Sequence, residues 1–137
     1  MAKGVGIDII EIGRIKAAIE KYGENFLKKV FTKKEIDYCC RRKVYRYPEL
    51  SVRFAAKEAY SKAMGVGIAG FGRGSRQHRT CSPKPEGRRG MKWTEIEIVN
   101  NSLGKPHIAV NGKISEKAQV SLSHSRDYAV ATVYIEE

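Results

Sequence analysis

Arg53-Phe-Ala-Ala-Lys-Glu-Ala-Tyr-Ser-Lys62 reads as the middle of a long helix. Pro48 suits its first turn, and Gly65-Val66-Gly67 ends it after Met64. Val52, Ala55, Ala56, Ala59 and Ala63 recur at helical spacing, a face of small residues fit for close packing. A second stripe runs Leu50, Phe54, Glu58 and Lys62, so an acid and a base one turn apart lie beside a large aromatic.

Upstream, Lys3 to Ile10 alternates as a strand, with Val5, Ile7 and Ile9 on one side and Gly6, Asp8 and Ile10 on the other. Glu11 to Tyr22 follows as a helix with an apolar stripe of Ile12, Ile15 and Ile19, stopped at Gly23. Phe26, Leu27, Val30 and Phe31 continue the pattern in a second short helix. Thr32 and Glu35 form a capping box that opens a third, running to about Arg42. Arg41 to Arg46 is a basic connector. Downstream, Trp93 to Val99, His107 to Val110, Ala118 to Ser123 and Tyr128 to Ile135 alternate as strands, separated by turns such as Asn111-Gly112. Helices first and strands after predict an α+β domain over residues 1–137, a mostly antiparallel sheet packed on the N-terminal helices.

The stretch from Phe71 to Lys92 differs from its flanks, with five Arg and two Lys against one Glu, two prolines and no periodicity. It reads as a mobile basic loop. The whole chain carries a formal net charge of +11, which calls for an anionic partner. A nucleic-acid-binding module is the rival reading, but no groove or single-strand motif accompanies the arginines. No apolar run is long enough to span a bilayer, and the N-terminus lacks a signal-peptide core, so a cytoplasmic protein without membrane attachment is expected. The three cysteines, two of them adjacent, make no disulfide framework, and His78 with Cys81 lacks the partners of a zinc site.

Asp8 has two readings: a cap for the helix that follows, or an oxygen ligand for a hard cation such as Mg²⁺. Glu58 and Lys62 are either a surface ion pair or a metal-and-phosphate couple. His124 is a strand-end residue and Gly104-Lys105-Pro106 a turn with a cation. Each residue alone leaves both readings open.

Together, Gly6-Ile-Asp-Ile-Ile-Glu-Ile-Gly-Arg14, Arg53 to Ala63, Leu103-Gly-Lys-Pro106 and Val120-Ser-Leu-Ser-His124 closely resemble the holo-[acyl-carrier-protein] synthase family, the short branch of the 4′-phosphopantetheinyl transferases. The resemblance implies transfer of 4′-phosphopantetheine from coenzyme A to a serine of apo-acyl carrier protein, in fatty acid biosynthesis. It implies that Asp8 and Glu58 ligate Mg²⁺ with the coenzyme A pyrophosphate. Lys62 would then meet the leaving phosphate, and Glu58 would offer a route for the serine proton. It further implies a homotrimer with sites between subunits. His124, as a catalytic group, and the Gly104-Lys105-Pro106 turn would serve a site whose metal ligands come from the neighbouring chain, and Arg53, Lys62, Gly65, Gly67, Lys105, Pro106 and His124 would help hold the cofactor. Arg53 and the connector from Arg42 to Arg46 are candidates for the 3′-phosphate. Arg14, Lys16, Lys21, Lys28 and Lys29 would face the acidic carrier protein. One departure is Val66, where the family usually has threonine, which removes a hydroxyl near the expected cofactor.

Overall fold

The computed structural model describes residues 2–68 and 90–137. The basic stretch up to residue 89, with His78 and Cys81, lies outside them. The chain opens with strand β1 (Ala2–Glu11) and three helices, α1 (Ile12–Tyr22), α2 (Glu24–Val30) and α3 (Lys33–Cys39). Ile12, Ile15 and Ile19 are buried along α1, as their spacing requires. Gly23 ends that helix at φ 58°, a left-handed angle that glycine reaches without a Cβ penalty. The capping box at α3 forms as expected: the Glu35 N–H donates to Thr32 Oγ1 at 3.3 Å, and the Thr32 N–H donates to Glu35 Oε1 at 3.0 Å.

The connector to the long helix departs from expectation. Helix α3 stops at Cys39 rather than near Arg42, because Cys40 pairs with Tyr45 and Arg41 with Val44 in a small hairpin. Its strands are β2 (Cys40–Arg41) and β3 (Val44–Tyr45). Arg42 and Lys43 form the turn at φ 51° and 61°. The same chain uses Asn111-Gly112 for another two-residue turn, which is the cheaper choice. Arg42→Asn with Lys43→Gly should therefore raise stability by about 1 kcal/mol, read as a higher urea midpoint. An unchanged or lower midpoint would show that these side chains stabilise the turn.

Helix α4 (Tyr47–Met64) lies across a three-stranded antiparallel sheet of order β1-β8-β7, with β7 at Ala118–His124 and β8 at Tyr128–Glu136. Contact with β1 is backbone to backbone. A Cβ on Gly6 would stand 1.8 Å from the Ala59 carbonyl oxygen, and one on Gly4 would stand 2.0 Å from that of Ala63. Glycines on the strand and alanines on the helix are what permit this approach. The C-terminal strands do not make one sheet. The strands β4 (Ile96–Asn100), β5 (Pro106–Val110) and β6 (Lys113–Ile114) form a second antiparallel sheet. Strand β5 packs near β7 without joining its ladder. A 3₁₀ turn (Trp93–Glu95) occupies the start of the strand expected from Trp93.

The two sides of β1 separate as the alternation predicts, but the larger apolar side faces out. Val5, Ile7 and Ile9 are 62%, 60% and 64% exposed, whereas Gly6 and Ile10 are buried beneath the helices. Register places Tyr134 beside Val5, Thr132 beside Ile7 and Val130 beside Ile9 on that outer face.

Candidate active site

Asp8 does not cap α1. The helix is capped by the Glu11 backbone with no side-chain bond, and the Ile12 N–H donates to Asp127 O at 2.8 Å. The Asp8 side chain instead turns toward α4, where Lys62 Nζ donates to its Oδ1 and to Ile7 O, each at 3.0 Å. Glu58 lies one helical turn before Lys62, but among the described residues no ion pair joins those two. Asp8, Glu58 and Lys62 are thus assembled by one strand and one helix.

Burial pushes both carboxyls above their ordinary range. For Glu58 the Asp8 charge adds to desolvation and Lys62 opposes it; for Asp8 desolvation outweighs Lys62 and Arg14. The folded chain therefore holds these protons more tightly than the unfolded one. Their contribution to stability is greatest in acid and is lost as pH rises from the ordinary carboxylate range through the raised values. Glu58→Gln, which removes one charge, should raise the thermal midpoint at pH 7 and flatten this decline. A midpoint below the parent's would contradict the assignment.

The pair fits a hard divalent cation. It offers oxygen donors only, both partly desolvated and of like sign, with a single ammonium opposing them. Among the described residues no group of three His, Cys, Asp or Glu stands close enough to hold an ion alone. Two carboxylates are within what Mg²⁺ takes, the rest of its shell being completed by water and phosphate oxygens. Burial pushes the Cys39 thiol up to about 11, which leaves it an inert core group.

A second constellation occupies a cleft of about 520 Å³ lined by Tyr38, Glu49, Arg53, Lys105, Pro106 and His124, among others. Arg53 is only 1% exposed. Its guanidinium lies 4.5 Å over the Tyr38 ring and donates to Glu49 O at 3.1 Å, Glu49 Oε2 at 3.2 Å and Asn100 Oδ1 at 2.6 Å. Asn100 Nδ2 in turn donates to Gly104 O at 3.0 Å, which ties the Gly104-Lys105-Pro106 turn to α4. Arg46 caps the same corner, over Tyr38 and bonded to its carbonyl. His124 ends β7 exposed, at the rim. Asn100 and Glu49 escape a sequence reading because they act through Arg53, a contact 47 residues apart in the Asn100 case.

These two constellations stand on opposite sides of α4. At 100° per residue, Glu58 lies about 140° around the helix from Arg53 and about 180° from Glu49. One chain therefore brings Asp8, Glu58 and Lys62 together, and separately Arg53, Lys105, Pro106 and His124, without joining the groups. Gly65 ends α4 at φ 70°, and Gly67 O accepts from the Met91 N–H at 2.9 Å. Arg14, Lys16, Lys21 and Lys28 are all exposed. Arg14 and Lys21 share a side of α1, with Arg14 near enough to act on the Asp8 charge. Lys16 lies about 200° around from Arg14 and rests over the Tyr47 ring.

Lys57 is a further residue that sequence reasoning missed. It is 0% exposed, and Nζ donates to Val30 O at 2.7 Å, Glu35 Oε1 at 2.5 Å and Trp93 O at 3.1 Å. Burial lowers its pKa and the Glu35 charge opposes this. Glu35 Oε2 also accepts the Ile98 N–H at 3.0 Å, so one buried carboxylate joins α3, α4 and β4. The available signal was position: Lys57 falls seven residues after Leu50 and four after Arg53, inside a buried stripe.

The family described as the 4′-phosphopantetheinyl transferase superfamily matches residues 4–133. A holo-[acyl-carrier-protein] synthase of Chloroherpeton thalassium is 43% identical over 136 residues, covering 96% of each chain. One of Ruminiclostridium cellulolyticum is also 43% identical, covering 96% of this chain and 90% of the relative. Among solved structures, the Bacillus anthracis synthase in complex with coenzyme A (3′,5′-ADP) superposes with a TM-score of 0.71 at 31% identity. That match covers 100% of this chain and 98% of the other. No helix among the described residues is long and apolar enough to cross a membrane.

Proposed function

The chain belongs to the 4′-phosphopantetheinyl transferase superfamily, as an enzyme of the holo-[acyl-carrier-protein] synthase type, and on that premise we propose how its residues divide the work. Coenzyme A donates 4′-phosphopantetheine to a serine of apo-acyl carrier protein, for fatty acid biosynthesis, with Mg²⁺ as the required cation. The observation that carries this reading is the Asp8–Glu58–Lys62 cluster, two partly desolvated acids and one ammonium near enough to act on one another's charge.

The carrier serine oxygen attacks the β-phosphorus of coenzyme A, and the bond from that phosphorus to the bridging oxygen breaks. Adenosine 3′,5′-bisphosphate leaves with that oxygen. Bound Mg²⁺ supplies charge stabilisation to the pyrophosphate. Asp8 and Glu58 would hold it, and Glu58 would offer a route for the serine proton. Lys62 gives up its bond to Asp8 and offsets charge on the departing oxygen. Arg53, Lys105, Pro106 and His124, with Gly65 and Gly67, hold the coenzyme, and Arg42 to Arg46 reach its 3′-phosphate. The Arg42→Asn, Lys43→Gly turn variant, though more stable, should therefore bind coenzyme A less tightly. Arg14, Lys16, Lys21, Lys28 and Lys29 steer the acidic carrier toward the site.

The working enzyme is a homotrimer whose sites lie between subunits. Two features support this: the half-sites on opposite sides of α4, and the exposed Val5, Ile7, Ile9, Tyr128 and Tyr134 on one sheet. An apolar stripe of that kind is a surface for another chain to cover. Incubation with coenzyme A, Mg²⁺ and apo-carrier should add one phosphopantetheine mass to the carrier; no addition to any acyl carrier protein would refute the reading. Ile7→Glu should convert the trimer to folded monomers with little activity, read by light scattering. A monomeric parent would refute the shared site.

A further inference from the structure

Asp8 and Glu58 are like charges on separate elements, partly removed from water, and they repel one another. Something must keep α4 from turning or sliding to relieve that repulsion. On the strand side, Gly4 and Gly6 set how closely the helix approaches, and the partly exposed Lys62 bonds to Asp8 and Ile7 O. Buried resistance comes from the position next to Glu58. Lys57, next to Glu58 in the chain, sends its ammonium away from β1 to the end of α2, to Glu35 of α3 and to the Trp93 carbonyl ahead of β4. Glu35 is itself held, accepting from the Thr32 and Ile98 N–H groups.

A buried ion pair is seldom the most stable choice for such a position; a well-packed apolar side chain of similar volume often does as well. What the ion pair adds is direction. Three acceptors from three segments converge on one nitrogen, so a rotation of α4 breaks several short bonds at once, which an apolar contact would not resist so sharply. We propose that Lys57 is a positioning residue for the cation site: its anchored ammonium sets the rotation and depth of α4 and so holds Glu58 facing Asp8. The proposal rests on the reading of Asp8 and Glu58 as cation ligands. Lys57 touches neither substrate nor cation in this role and acts only through Glu58.

The test uses the full chain with Mn²⁺, which takes the same oxygen donors and reports its binding by electron paramagnetic resonance. Lys57→Met combined with Glu35→Gln removes the ion pair without leaving a buried charge unpaired. The folded double variant should bind Mn²⁺ at least tenfold more weakly, while its affinity for adenosine 3′,5′-bisphosphate stays within twofold of the parent's. A merely structural role would lower the thermal midpoint without separating those two affinities. Mn²⁺ binding equal to the parent's in the folded variant overturns the proposal. If the double variant does not fold, Glu35→Asp decides: it keeps both charges but draws the anchor back by one methylene. Cation affinity should then fall several-fold with nucleotide binding retained, and unchanged cation affinity overturns the proposal. A parent chain that binds no Mn²⁺ overturns the cation-site reading itself, a distinct result.

Discussion

Asp8→Ala and Glu58→Ala should each lower carrier modification by roughly 10³-fold, the scale of losing one preorganised electrostatic or proton-transfer group. The fold should persist in both. Asp8 is joined to Lys62 by a partly exposed ion pair, whose contribution to stability is small. Glu58 has no ion pair among the described residues, and its charge is disfavoured by burial and by Asp8. On the proposed roles, removing either acid would halve the negative charge available to a cation, and removing Glu58 would also take away the proposed acceptor for the serine proton. Glu58→Gln separates these roles: an amide oxygen still ligates weakly but accepts no proton, so excess Mg²⁺ should not restore its rate. The check is the rate of mass addition to the carrier, measured beside a thermal melt. Near-parental activity in either alanine variant would remove that residue from the site.

Gly6→Ala should cost more than about 3 kcal/mol, beyond the usual range for one added methyl. The new Cβ would lie 1.8 Å from Ala59 O, 2.8 Å from Ala59 C and 2.9 Å from Ala63 N, all of them backbone atoms that have no rotamer to move into. The whole of α4 must lift from β1. That motion also separates Glu58 from Asp8, so activity should fall even at temperatures where the variant is folded. Gly13→Ala is the control: nothing lies within 4 Å of where its methyl would stand, and its helical position favours alanine by about 1 kcal/mol. Urea unfolding of the two variants should move in opposite directions. A Gly6→Ala chain as stable as the parent would show that the close approach is not needed.

Much of the fold was legible because it depends on local rules. Periodicity located α1, α4, β1, β7 and β8, and the Thr32 and Glu35 pair announced its helix. The misses occurred where distant partners outweigh local preference. Arg41 to Arg46 carries no turn glycine, yet it closes a hairpin because Cys40 and Tyr45 find each other. The four C-terminal segments read alike as strands, but only register separates them into two sheets. At the site, the acids and bases were visible as residues, and the Glu58 and Lys62 spacing suggested a pair. The bond that forms is instead between Lys62 and Asp8, 54 positions away in the chain.

Order and spacing of residues alone were enough to identify the chemical groups, the helix that carries Glu58 and Lys62, and the family, because motif spacing survives in one dimension. Which side of β1 is covered, which base meets Asp8, and why Lys57 is buried were decided only in three dimensions. Those outcomes turn on how closely two backbones approach at Gly4 and Gly6. They turn equally on where three carbonyl and carboxylate oxygens converge around one ammonium. Such meetings between remote segments leave no period in the sequence, since each partner looks ordinary until the fold brings the others to it.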